Sequence, residues 1–125
     1  MTLVNYYDFC NEVLESDNLI RFVGLYVNGE FYSKMRDGLK SYLSEEETKK
    51  SLIQAVLRWK SREILAYKIG KPVCVVAEYR NLFRITMPLD GENLCLISTE
   101  SKVEPFKIAK KVADIIKNTL NNIQK

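Results

Sequence analysis

The side chains that could do chemistry here are cysteines, carboxylates and cations, because the 125-residue sequence contains no histidine. Without imidazole there is no Ser-His-Asp or Cys-His arrangement, and a zinc site loses one of its principal ligands. Cys10, Cys74 and Cys95 are an odd set with no C-x-x-C spacing. They read as small buried hydrophobes rather than disulfide partners or metal ligands. Gly70-Lys71 lacks both the glycine lead and the following Ser or Thr of a phosphate-binding loop. No G-x-S-x-G run occurs either. The carboxylates fall mostly on amphipathic helical stretches, where a solvated face is the simplest reading. The expectation is a non-enzymatic protein without cofactor or metal.

Charge is unevenly spread along the chain. Residues 1–47 carry four basic and nine acidic side chains, 48–80 carry eight and two, and the remainder seven and five. A basic middle could meet an acidic partner or nucleic acid, or be a solvated helix face; the last is the reading favoured by the sequence. No apolar run has transmembrane length, and Met1 to Ser16 has acids where a signal peptide has basic and apolar regions. A cytoplasmic protein without membrane contact is expected, folded as one domain over residues 1–125.

The best-marked element runs from Ser44 to Gly70. Ser44 can cap the helix, and Glu47 can reach back to complete a capping box. Glu45, Glu46 and Glu47 place negative charge at the positive end of the helix dipole. Gly70 can supply the C-cap and Pro72 cannot continue the helix. At 100° per residue, Leu52, Ile53, Ala55, Val56, Leu57, Trp59, Ile64, Ala66 and Tyr67 form one broad apolar arc. That arc is wider than one sheet face covers, so the helix either bends or uses a second partner. Lys60 and Glu63 intrude into it. Their stems can lie on apolar surface with their heads in water, the helix can break near Lys60, or the two can pair across a subunit contact.

The remaining elements follow from periodicity. Residues 4–16 predict a first helix, with Tyr6, Phe9, Cys10, Val13 and Leu14 on one stripe. Ile20 to Val27 predicts a strand in which Gly24 marks a close approach of backbone or helix. Asn28-Gly29 predicts a type I′ hairpin turn, returning along Glu30 to Met35. Val73 to Tyr79, Leu82 to Met87 and Leu94 to Ser98 predict three more strands, with Arg80-Asn81 and Asp90 to Asn93 as turns. Five apolar residues in succession at the start of the first of these imply a strand covered on both faces, or one whose outer side meets another chain. The last helix begins near Pro105, with Ile108, Val112, Ile115, Ile116, Leu120 and Ile123 on its apolar stripe.

The order is α-β-β-α-β-β-β-α, an α+β chain with a five-stranded antiparallel sheet and helices on both faces. In that order, with an early Asn-Gly hairpin and a long middle helix, the chain resembles the roadblock/LC7 domain, a profilin-like fold. It is also similar to small uncharacterised archaeal proteins that carry a segment like AVLRWKSREILAYKIGKPVCVVAEY. The roadblock resemblance implies that the long helix covers one sheet face and the two terminal helices the other. It also implies a homodimer, in which the strand after the long helix pairs with its copy while the two long helices pack together. The interface would then draw on Leu52, Val56, Trp59, Lys60, Glu63, Val73, Val75, Ala77 and Tyr79. The function implied is that of a scaffold or regulator associated with a small GTPase. A small-molecule sensor is the alternative, and it requires a cavity lined by Tyr26, Tyr32 or Phe83. Sheet faces covered by helices argue against RNA binding, which uses aromatics on an open sheet.

Overall fold

The computed structural model describes residues 5–124, with side chains over 5–120. Its elements are α1 (Tyr6–Ser16), β1 (Ile20–Val27), β2 (Glu30–Met35), α2 (Glu45–Glu63), α3 (Ala66–Ile69), β3 (Val75–Glu78), β4 (Leu82–Pro88), β5 (Leu94–Glu100) and α4 (Pro105–Gln124). All strand pairs are antiparallel, and the sheet order is β2-β1-β5-β4-β3. This is the expected α+β architecture, with β2 and β3 as its edges. Val4 of the predicted first helix lies outside the described residues, and the Ile123 side chain lies outside those described.

Side-chain alternation builds two cores on opposite faces of the sheet. Val23, Leu25 and Val27 of β1, Ile85 and Met87 of β4, and Cys95 and Ile97 of β5 pack with Phe9, Cys10, Val13 and Leu14 of α1 and Ile108, Val112 and Ile116 of α4. On the other face Leu94 and Leu96 of β5 meet Leu52, Ala55, Val56 and Trp59 of α2, with Phe22, Tyr26, Phe31 and Val75 around them. The long helix covers one face and the terminal helices the other. Among the described residues, no helix is long and apolar enough to cross a membrane.

The local signals explain the turns and caps. Asn28 and Gly29 both have positive φ, 52° and 86°, as a type I′ turn requires. The Ser44 hydroxyl accepts from the Glu47 N–H at 3.1 Å, and the Glu47 carboxylate accepts from the Ser44 N–H at 2.9 Å. Holding those bonds keeps the Glu47 carboxyl below the usual carboxylate range. A Cβ at Gly24 would lie 3.3 Å from a Leu52 methyl and 3.1 Å from the Phe22 ring, so the helix approaches β1 closely there.

Two expectations need correction. The helix from Ser44 does not run unbroken to Gly70. It stops at Glu63, Ile64 and Leu65 donate to carbonyls three residues back, and a separate turn follows as α3. Three-residue spacing tightens the helix and redirects the chain towards β3. Only part of the apolar arc is covered, as expected of an arc wider than one sheet face. Leu52, Ala55, Val56 and Trp59 are buried, whereas Ile53, Leu57, Ile64 and Tyr67 are exposed. Gly70 does have φ of 90°, but its ψ of 163° is extended and not the left-handed helical cap.

Candidate functional site

Because α2 sits mainly over β1 and β5, the β3 side of that sheet face is only partly roofed. Position 55 and positions 58, 59 and 62 share the flank of α2 that leans towards β3. Below them, β3 offers Val75 and Ala77, and β4 offers Arg84 and Thr86, paired in register as Val75 with Thr86 and Ala77 with Arg84. Together they enclose a cavity of about 70 Å³, lined by Ala55, Arg58, Trp59, Arg62, Val75, Ala77, Tyr79, Arg84, Thr86 and Ser98 among others. A broader cleft of about 630 Å³ adjoins it, with Tyr42, Leu43, Ser51, Gln54, Tyr79, Leu82 and Arg84 among its walls. Arg84 and Tyr79 belong to both. The Ser51 hydroxyl oxygen at the cleft is buried and has no hydrogen-bond partner among the described residues.

The edge of the sheet beside this cavity is open. The Tyr79 N–H donates to the Leu82 carbonyl at 2.8 Å, closing the β3–β4 hairpin. Backbone groups of an antiparallel strand alternate between partner and outer side. Val76 and Glu78 therefore direct their N–H groups away from β4. The chain reaches this edge through an exposed apolar stretch. Ile64 is 69%, Tyr67 80%, Ile69 80% and Val73 78% exposed.

The residues expected at an interface fall into three groups. Trp59, Val75, Ala77 and Tyr79 are brought together around the cavity, and Val73 is exposed just before β3. Leu52 and Val56, like Trp59, are buried against the chain's own sheet, so they belong to its core and form no outer layer. Lys60 lies on the opposite flank, its ammonium 5.9 Å from the centre of the Tyr26 ring on β1, and is exposed. Glu63 is half-buried, and no ion pair joins it to Lys60.

Tyr26, Tyr32 and Phe83 are not gathered around one cavity. Tyr26 stands on the α2 face, its ring 5.2 Å from Phe31, while Tyr32 stands on the other face, 4.8 Å from Tyr6 and 5.9 Å from Tyr7. Phe83 is buried and alternates with Ile85 on that second face. Strand parity thus separates the three, so no single pocket draws on all of them.

Two arginines that fasten the frame of the fold gave little signal in the sequence. Arg21 sits at a break in register between β1 and β5 and is buried. It pairs with Glu100 at 2.8 Å, donates to the Lys40 carbonyl at 3.1 Å, and stacks 4.7 Å from the Tyr42 ring centre. These contacts fasten the segment that leads into α2. Arg36 follows β2 and donates Nε to the Ile20 carbonyl at 2.7 Å and Nη2 to the carbonyls of Leu14 and Asp17. A charged residue in a turn reads as solvated unless the carbonyls of a distant helix end are known to converge on it.

Known proteins bear on the fold. No family model matches the sequence, and no curated protein matches it significantly. Solved structures do match. A roadblock/LC7 domain from Streptomyces avermitilis superposes over 99% of this chain and 100% of its own, with a TM-score of 0.73 at 8% identity. MglB of Myxococcus xanthus covers 94% of this chain and 93% of its own, with a TM-score of 0.71 at 10% identity. The gliding protein MglB of Thermus thermophilus covers 94% and 96%, with a TM-score of 0.62 at 12% identity. The expected similarity to small archaeal proteins, over Met35 to Leu120 with Ala55 to Tyr79 as its most specific part, is not confirmed by these matches. At these identities the likeness concerns architecture, and the conclusion is that this chain has the roadblock/LC7 fold.

Proposed function

We propose that this chain is a non-enzymatic scaffold or regulatory protein that works as a homodimer, with a small GTPase as its partner class. The observation that carries the homodimer is the free β3 edge fed by an exposed apolar stretch. Eight of the thirteen exposed large hydrophobics described lie between Ile53 and Tyr79, including Ile64, Tyr67, Ile69 and Val73. Concentrated apolar surface of this kind marks a contact site, and an open strand edge is a template for pairing with another chain. A second copy pairing along β3 would satisfy the outward N–H groups of Val76 and Glu78 and cover Val73 and Tyr79. Lys60, over Tyr26 on the far flank, stands outside this contact. One solved structure of the same fold is described as MglB in a tetrameric arrangement, so that protein self-associates.

Sedimentation equilibrium over a wide concentration range tests the dimer. A mass of two chains that persists to low concentration is expected, and a single-chain mass throughout would overturn it. The GTPase part draws on the resemblance to roadblock domains. It is tested by titrating purified small GTPases in their GDP and GTP forms with the chain. Binding that depends on the nucleotide state is expected, and none at saturating concentration would remove that partner class.

A further inference from the structure

We infer that the cavity between α2 and the β3–β4 hairpin is a binding site for a phosphate-type oxyanion. Arg58 and Arg62 stand one turn apart on α2, and Arg84 rises from β4 beneath them; all three line the same space of about 70 Å³. Like charges at this helical spacing repel. Among the described residues, no carboxylate lines the cavity and none of the three arginines takes part in an ion pair. Elsewhere in this fold a covered arginine has its partner, as Arg21 has Glu100 at 2.8 Å. Arg84, half-buried, has none. An oxyanion converts this repulsion into binding.

The chemistry of the walls narrows the ligand. A guanidinium presents its donors as a planar fork that matches oxyanions, and two parallel bonds per fork are the strong geometry. A carboxylate has two oxygens and cannot serve three forks at once, whereas a phosphate dianion has oxygens enough for all three. The hydroxyls of Thr86 and Ser98 add neutral donors at the floor. One water needs about 10–15 Å³ of such space, so the cavity has room for a single tetrahedral group, with the adjoining cleft open beside it. The ligand is therefore inorganic phosphate or the phosphate head of a larger molecule whose remainder stays outside. Ala77 and Tyr79 line this cavity and also lie on the strand edge of the dimer proposed above, so phosphate binding and self-association are read separately.

The test is calorimetric titration of the full chain with inorganic phosphate, against chloride and acetate at equal ionic strength. Saturable binding of one phosphate per chain is expected, at least about tenfold weaker in R84Q and in the R58Q/R62Q double variant. Arg58 and Arg62 are exposed on α2, so the double variant remains informative if R84Q does not fold. Failure of phosphate to saturate up to ~10 mM, equal binding of acetate, or unchanged affinity in the double variant would each overturn the assignment. Chain mass measured in the same buffers reads self-association separately, so loss of one property is distinguishable from loss of the other.

Discussion

The guanidinium of Arg36 donates to the main-chain carbonyl of Asp17 at 2.8 Å, across nineteen residues of sequence. The same side chain holds the carbonyls of Leu14 and Ile20, and so closes the C-terminal end of α1 onto the start of β1. Asp17 answers with its carboxylate, which accepts from the Leu19 N–H at 2.9 Å and from the Lys111 ammonium on α4 at 3.1 Å. One turn therefore joins α1, β1, β2 and α4.

Replacing Arg36 by methionine keeps much of the stem and removes every donor. The carbonyls at the end of α1 and in the turn then lose their charged partner. A loss of roughly 2–4 kcal/mol is expected, since hydrogen bonds to charged groups are the costly ones to break. Urea unfolding followed by circular dichroism measures it, and a variant as stable as the parent would show that water satisfies those carbonyls equally well.

Asp17 makes stability depend on acid. Its carboxyl is held below the usual range first by the Leu19 N–H, then by Lys111, with Arg36 adding attraction. A carboxylate with a depressed folded pKa adds stability that is fully present above its unfolded value. That contribution is lost as pH falls through the folded pKa. Asp17→Asn keeps the acceptor for Leu19 and removes the charge. The stability gap between parent and variant should be constant above about pH 5 and shrink below about pH 4. A gap that stays level down to acid unfolding contradicts this account.

The three thiols differ in reach. Burial pushes Cys10 up to about 11 and Cys95 still higher, while Cys74 is raised less and is only half-covered. The thiolate is the nucleophile. Iodoacetamide at mildly alkaline pH should therefore label Cys74 first in the folded chain, with Cys10 and Cys95 reacting only on unfolding. Peptide mapping by mass spectrometry reads the order, and early labelling of Cys10 would mean that α1 opens readily.

Glu78 tests the strand edge. Its N–H faces away from β4, so Glu78→Pro removes an outward donor without breaking the β3–β4 ladder. The variant is expected to keep its far-ultraviolet spectrum and to sediment as a single chain where the parent sediments as two. A variant that still dimerises with parental affinity excludes pairing through β3.

Most of the fold was legible because its signals are local. Asn28-Gly29 names its turn by the two positive φ values it tolerates, and Ser44 with Glu47 names a helix start by two reciprocal hydrogen bonds. Strand parity on β4 was likewise readable, since Phe83, Ile85 and Met87 alternate with charged and polar neighbours. The end of α2 was legible only as one of several readings of Lys60, because residues 64–65 contain neither proline nor glycine to fix it, and the break comes from three-residue hydrogen bonds beyond the sheet. Arg84 was not legible as a site residue. In sequence it is one polar position on a half-buried strand; only the placement of α2 brings Arg58 and Arg62 above it. The separation of the aromatics named for a ligand pocket was hidden for the complementary reason. Tyr26 and Tyr32 sit across the same hairpin, but one residue of register puts them on opposite faces.

The sheet order has a kinetic consequence. The central pairing of β1 with β5 joins Ile20 to Thr99, whereas the hairpins β1–β2 and β3–β4 close over short turns. Closing the long loop carries the larger entropy cost, and contacts between distant residues slow folding. Two hairpins can form early, each with an apolar face and no sheet to complete. During synthesis, β1 must wait until β5 has emerged before its inner edge is filled. The middle strand of the finished sheet is thus among the last pieces to arrive, and until then the amino-terminal hairpin is the part of this chain most in need of protection.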